Sequence, residues 1–158
     1  MLAPMPDGPR YDDDFYAWTK YQAKVLRDMR VEDNRLDRGN LVEEIESLGK
    51  EQRDAVRSQV RRIVEHLLKL AYSPATQPRH GWRKSIIEAR AQLGDKLSPS
   101  LRRGLHGRLP ILYDEARETA DEALREFDED AAAARLPPVC PFTLAQIIER
   151  GWYPEGPE

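Results

Sequence analysis

Apolar residues recur three or four positions apart, or at sums of those steps, through most of this chain. The longest such run lies between Leu36 and Tyr72. Leu41, Ile45, Leu48, Val56, Val60, Ile63, Leu67 and Leu70 fall on one stripe of a helix with 3.6 residues per turn. Glu46, Lys50, Arg53, Asp54, Arg57 and Arg61 fall on the opposite face, and Gln52 is a polar interruption of the stripe. The pattern predicts one helix over about 38–72, roughly 50 Å long at about 1.5 Å per residue. Asp37 is placed to cap its start, Asn40 with Glu43 offers an alternative capping pair, and Pro74 stops it. Gly49 is expected to weaken or bend it, by about 1 kcal/mol relative to alanine.

The same spacing predicts three further main helices and a short last one. Phe15, Trp18, Gln22, Val25, Leu26 and Met29 mark a helix over about 13–31, started by the acidic run at 12–14. The short connection VEDNRLD makes it an antiparallel neighbour of the long helix. Trp82, Ile86, Ala89 and Leu93 mark a third helix over about 81–95. Ser98 and Pro99, a favoured cap and first position, open a fourth over about 99–128, with a kink or break expected near 106–109 because Pro110 lies inside it. The stretch EDAAAARLPPVCPF reads as a connection. Leu144, Ile147 and Ile148 mark a helix over about 143–150 that Gly151 ends. No stretch alternates apolar and polar residues, so no sheet is expected. The fold class is an all-α bundle: residues 1–10 a loose, Pro-bearing arm, residues 11–158 one domain.

Composition narrows the classes. One Cys excludes an internal disulfide framework and a multi-Cys zinc site. No apolar run approaches the ~18 residues of a membrane span, and the first ten residues lack the pattern of a secretory signal. A cytoplasmic setting without membrane association is the expectation. The net charge of −3 hides a division. Residues 1–49 carry seven Lys/Arg against eleven Asp/Glu, residues 50–108 fourteen against five, and residues 109–158 four against twelve. A basic middle suits a polyanion; acidic ends that pair with it internally are the plainer reading.

The ordered signals DFYAW, LDRGNLVEEIESLG, HLLKLAYSP, GWRKSIIEAR, LSPSL and CPFTLAQII resemble the bacterial family called domain of unknown function family 29, over about residues 11–154. Leu70 stands where the family often has Trp after His-Leu-Leu-Lys. The resemblance implies an all-helical bundle in bacterial cytoplasm. It implies no activity and carries over no site residues.

Candidate chemistry is sparse. Glu43, Glu44 and Glu46 cluster near a helix start, where the dipole favours acids. A di-metal bundle would need Glu-x-x-His pairs, and none occurs. Glu43 or Glu44 buried against Arg90 is the other arrangement open to them. His66 borders the apolar stripe. His66, His80 and His106 come from three segments, and their convergence on a catalytic zinc is disfavoured by the loop and turn around the latter two. Arg61 and His66 have the spacing Arg-x4-His, similar to the motif of HEPN-type ribonucleases, but five steps on one helix point about 140° apart. Trp82 among Arg79, Arg83 and Lys84 fits either a core side chain or a base-stacking platform. Cys140, between Val139 and Pro141, reads as a small buried side chain. No phosphate loop, dinucleotide fingerprint or Gly-x-Ser-x-Gly is present, so no cofactor and no metal are expected. The reading favours a non-enzymatic interaction or regulatory module with a protein partner or homodimer. The alternative is a nucleic-acid binder or metal-independent ribonuclease-like enzyme using Arg61, His66 and segment 79–84, with Glu44 as a further catalytic candidate.

Overall fold

The computed structural model describes residues 7–157, so residues 1–6 of the expected arm lie outside the described residues. Six helices follow in order: α1 (Phe15–Asp28), α2 (Arg38–Tyr72), α3 (Arg79–Lys96), α4 (Pro99–Glu126), α5 (Asp130–Ala134) and α6 (Leu144–Ile148). Among the described residues there is no strand, and no helix is long and apolar enough to cross a membrane. The chain forms two compact units. The first holds the described residues up to Ala55 together with Ser98–Arg103; the second holds Val56–Leu97 and the chain from Gly104 on.

In the first unit α1 and the start of α2 form an antiparallel hairpin. Arg27 pairs with Glu46, and Thr19 lies against Gly49. The start of α2 predicted from Asp37 is observed: its carboxylate accepts from the Asn40 backbone N–H at 3.3 Å and from the Asn40 amide at 2.7 Å. α1 is shorter than predicted, because Met29 is extended and its carbonyl accepts from Arg38. Asp14 caps α1 by accepting from the Ala17 N–H, and the same carboxylate accepts from the N–H and hydroxyl of Ser100 in the first turn of α4. Ser98, the predicted cap, reaches the Leu101 N–H only at 3.5 Å.

The predicted stripe needs correction in this unit. Leu41 and Leu48 are 40% and 47% exposed, whereas Val42 and Gly49 are buried. Gly49 does not break α2. It is the point where α1 comes nearest: a Cβ there would overlap Thr19 Oγ1 and lie 3.3 Å from Thr19 Cβ. Thr19 is fully buried, and its hydroxyl donates to the Tyr16 carbonyl at 2.7 Å, so it has nowhere to swing. Overpacking of this kind costs about 1–3 kcal/mol, against about 1 kcal/mol gained in helix propensity. Gly49→Ala is therefore expected to destabilise in urea titrations. Adding Thr19→Ala is expected to recover most of the loss; additive effects of the two substitutions would refute the close approach.

In the second unit α2 lies between α3 and α4. It runs antiparallel to α3, with the amide of Gln59 donating to Gln92 at 2.7 Å and Arg62 3.5 Å from Glu88. It runs parallel to α4, with Arg61 2.8 Å from Glu115 and Ser73 donating to Glu129 at 2.6 Å. Val56, Val60, Ile63, Leu67 and Leu70 are buried as predicted, and Val64 and Leu68 widen the stripe. Ile86, Ala89 and Leu93 of α3 and Leu112, Ala116, Ala120 and Leu124 of α4 complete most of the core. α4 shows no break at Pro110. Pro110 and His106 both lie on the exposed side, so the carbonyl left without its partner is on the solvated face.

α4 ends at Glu126 in a Schellman turn. The Glu129 N–H returns to the Leu124 carbonyl, the Asp128 N–H returns to the Arg125 carbonyl, and Asp128 sits at φ 61°. The stretch expected to be a plain connection contains the one-turn α5, which buries Ala132 and Ala133. α6 begins at a Thr143–Gln146 capping box and is shorter than predicted, because Glu149 is already extended. Gly151 follows at φ 81°.

Candidate functional site

The end of α2, the start of α3 and the end of α4 enclose a cleft of about 540 Å³ in the second unit. Its walls are chiefly Ala75, Pro78, Trp82, Ala123, Leu124 and Phe127, with Lys69 and Glu129 as its charged groups. Each wall follows from local chemistry. Pro74 ends α2 and Pro78 precedes α3, so the chain between them forms a short ledge rather than a helix. Trp82, on the first turn of α3, is half-buried, so it is both a packed side chain and a cleft wall. Phe127 falls one residue past α4, where the chain turns through Asp128, and it is left 75% exposed.

The polar groups around the cleft are mostly engaged with each other. Lys69 Nζ lies 2.8 Å from Glu65, one turn earlier on α2, with both side chains largely buried. Ser73 is buried; its hydroxyl donates to Glu129 and accepts from the Ala75 N–H at 3.1 Å. His66, beside this pair, keeps its Nδ1 3.0 Å from the Arg62 carbonyl. A carbonyl only accepts, so Nδ1 carries the proton of the neutral ring. Burial pushes the imidazole below its ordinary value, while the nearby Glu65 opposes that shift.

The residues singled out as candidates are distributed over several places. Arg61 pairs with Glu115, and α2 is continuous from Arg61 to His66, so the two do not face one target. Glu43 and Glu44 are exposed on the first turns of α2. Arg90 does not pair with a carboxylate: it is 4% exposed and donates to the carbonyls of Ile147, Trp152 and Gln146 at 2.9, 2.9 and 3.1 Å. Arg79 donates to the Leu70 and Ser73 carbonyls at the end of α2, as a cation at a helix C-terminus should. Arg83 lies over the Tyr153 ring at 5.2 Å. Of the expected aromatic and cationic cluster, only Trp82 lines the cleft.

Sequence reasoning missed a second cleft, of about 380 Å³, where His106, Asp114 and Cys140 share a lining with Tyr113 and Val139. Those residues lie on α4 and the 137–142 connection, too far apart in sequence to associate by spacing. The thiol is not activated there. Burial pushes it above its ordinary value, and its hydrogen goes to the Phe142 carbonyl at 3.3 Å. Tyr113, buried and donating to the Pro137 carbonyl, is pushed up to about 12 by the same desolvation. Among the described residues, no group of three His, Cys, Asp or Glu side chains is arranged to hold a metal ion.

The fold is similar to that of an alpha-helical protein of unknown function from Rhodospirillum rubrum, with a TM-score of 0.79 and 24% identity over 92% of this chain and 93% of that one. At that identity the likeness carries the fold alone. No functionally curated protein matches the sequence. A family model matches residues 10–153, nearly the whole chain, and the chain belongs to that family, described as Domain of unknown function DUF29.

Proposed function

We propose that this protein is a non-enzymatic interaction module whose cleft between Trp82 and Phe127 receives an apolar side chain of another protein. The observation that carries the reading is Phe127, three-quarters exposed at the mouth of an apolar cleft. Apolar clefts with a few placed polar groups are the usual form of a binding site, and aromatic residues beside a pocket are common interaction anchors. The engagement of Arg61, Arg79 and Arg83 with other groups supports this over a ribonuclease-like or nucleic-acid-binding role.

A photo-crosslinking residue at position 127 tests the reading in cells. Protein adducts are expected there, and they are expected to disappear when Ala123→Leu fills the cleft. Adducts no different from those formed at exposed Ser47, or unaffected by Ala123→Leu, would refute it.

A further inference from the structure

We infer that the occupant of the cleft is a basic amphipathic segment of a protein partner, an inference that rests on the proposed reading of the cleft. The two signs of charge at its mouth differ in how far they are engaged within the protein. Lys69 is neutralised by Glu65 at 2.8 Å. Arg125, the cation next to Phe127 on α4, is committed to Asp121 at 2.9 Å and to Asp130 at 3.1 Å. On the facing side Arg79 and Arg83 keep their charge but neither lines the cleft: Arg79 is held on the carbonyls that end α2 and Arg83 over the Tyr153 ring. The acids are not matched in this way. Glu129 lines the cleft, and among the described residues its carboxylate takes only the Ser73 hydroxyl. Glu126 and Asp128 flank Phe127, both exposed, and neither belongs to an ion pair among the described residues. An apolar anchor entering between Trp82 and Phe127 would bring its neighbours against these three carboxylates. Lysine or arginine there is attracted, and glutamate or aspartate is repelled.

Asp128 adds an independent observation. It holds the left-handed position of a Schellman turn, where glycine is the usual residue because a Cβ is unfavourable there. Aspartate is tolerated at that position but is not what stability alone would select. Strained backbone positions concentrate at functional sites, and this one sets a carboxylate beside the exposed phenylalanine.

The test uses the intact protein and three synthetic helical peptides, read by fluorescence anisotropy. One has leucine anchors and lysine flanks, one leucine anchors and glutamate flanks, and one serine anchors and lysine flanks. The leucine–lysine peptide is expected to bind, more weakly at higher salt, and the other two are not. Glu126→Gln with Asp128→Asn is expected to weaken it about tenfold, equivalent to about 1.4 kcal/mol. Asp128→Gly is expected to weaken it while raising the denaturation midpoint, which separates binding from folding. Equal affinity for the two leucine peptides overturns the inference and leaves the cleft reading intact. Binding of the serine–lysine peptide alone overturns the cleft reading itself. A dimer in light scattering that Ala123→Leu dissolves and the charge variant does not would make the occupant a second copy of this chain, and would also overturn the inference.

Discussion

Arg90→Met is expected to lower the stability of the protein by about 4 kcal/mol, since each carbonyl left buried without a donor costs about 1–3 kcal/mol and three are served by this one side chain. Gln146 and Ile147 end the five-residue α6, whose last carbonyls have no partners within the helix. Trp152 extends the same segment, and the guanidinium also lies 5.5 Å from the Tyr153 ring. Burial lowers the arginine's affinity for its proton, with Tyr153 and Glu149 opposing that shift, yet an arginine remains a cation at neutral pH. The planar fork is what reaches three acceptors at once, so Arg90→Lys is expected to recover only a small part of the loss. A loss of this size is a large fraction of the ~5–15 kcal/mol that holds a domain together. Urea titration measures it, and a change within about 0.5 kcal/mol, the range of an ordinary surface substitution, would refute the role.

Asp14→Ala is expected to cost about 2–3 kcal/mol, because one carboxylate caps two helices and a lost cap costs about 0.5–2 kcal/mol. The side chain accepts from Ala17 N–H at 3.0 Å, from Ser100 N–H at 2.8 Å and from Ser100 Oγ at 2.7 Å. Burial by itself raises the pKa of this group. The hydrogen bonds from Ala17, Ser100 and Ser98 outweigh it and hold the carboxyl below its ordinary 3.8. The sign of the pH effect follows. A folded value below the unfolded one adds stability that is present above about pH 4 and is lost as the pH falls through 3.8 toward the folded value. Between pH 5 and 3, about the range of this loss, the wild type should lose stability faster than Asp14→Asn, which keeps an acceptor but does not titrate. Parallel pH profiles for the two proteins would contradict this.

The helices themselves were readable in the sequence because burial on one face imposes a 3.6-residue period. The predicted bounds of α2 coincide with the observed Arg38–Tyr72, since Asp37 and Pro74 act on the backbone locally. What depends on distant partners was not readable. Leu41 and Leu48 have the right spacing for the core, but the face that turns inward there is set by how closely Gly49 admits Thr19. α5 is a single turn, too short to show a period. The true cap of α4 is an aspartate 86 residues earlier.

The cleft was less legible still. Lys69, Trp82 and Phe127 lie on three elements, and Phe127 has the spacing of a core residue on a helix that ends one position before it. Arg90 illustrates the limit of residue type as a guide to chemistry. A buried arginine that holds carbonyls and one that would hold a ligand look alike in sequence. Trp82 packs only in part and its remainder lines the cleft, which spacing alone does not distinguish from a core ring.

The most direct measurement is the indole N–H resonance of Trp82 during titration with the leucine–lysine peptide. A saturable shift of that resonance is expected, with an unmoved Trp18 resonance and loss of the shift in Ala123→Leu. A Trp82 resonance that stays in place while the peptide binds, or that moves equally in Ala123→Leu, would contradict it.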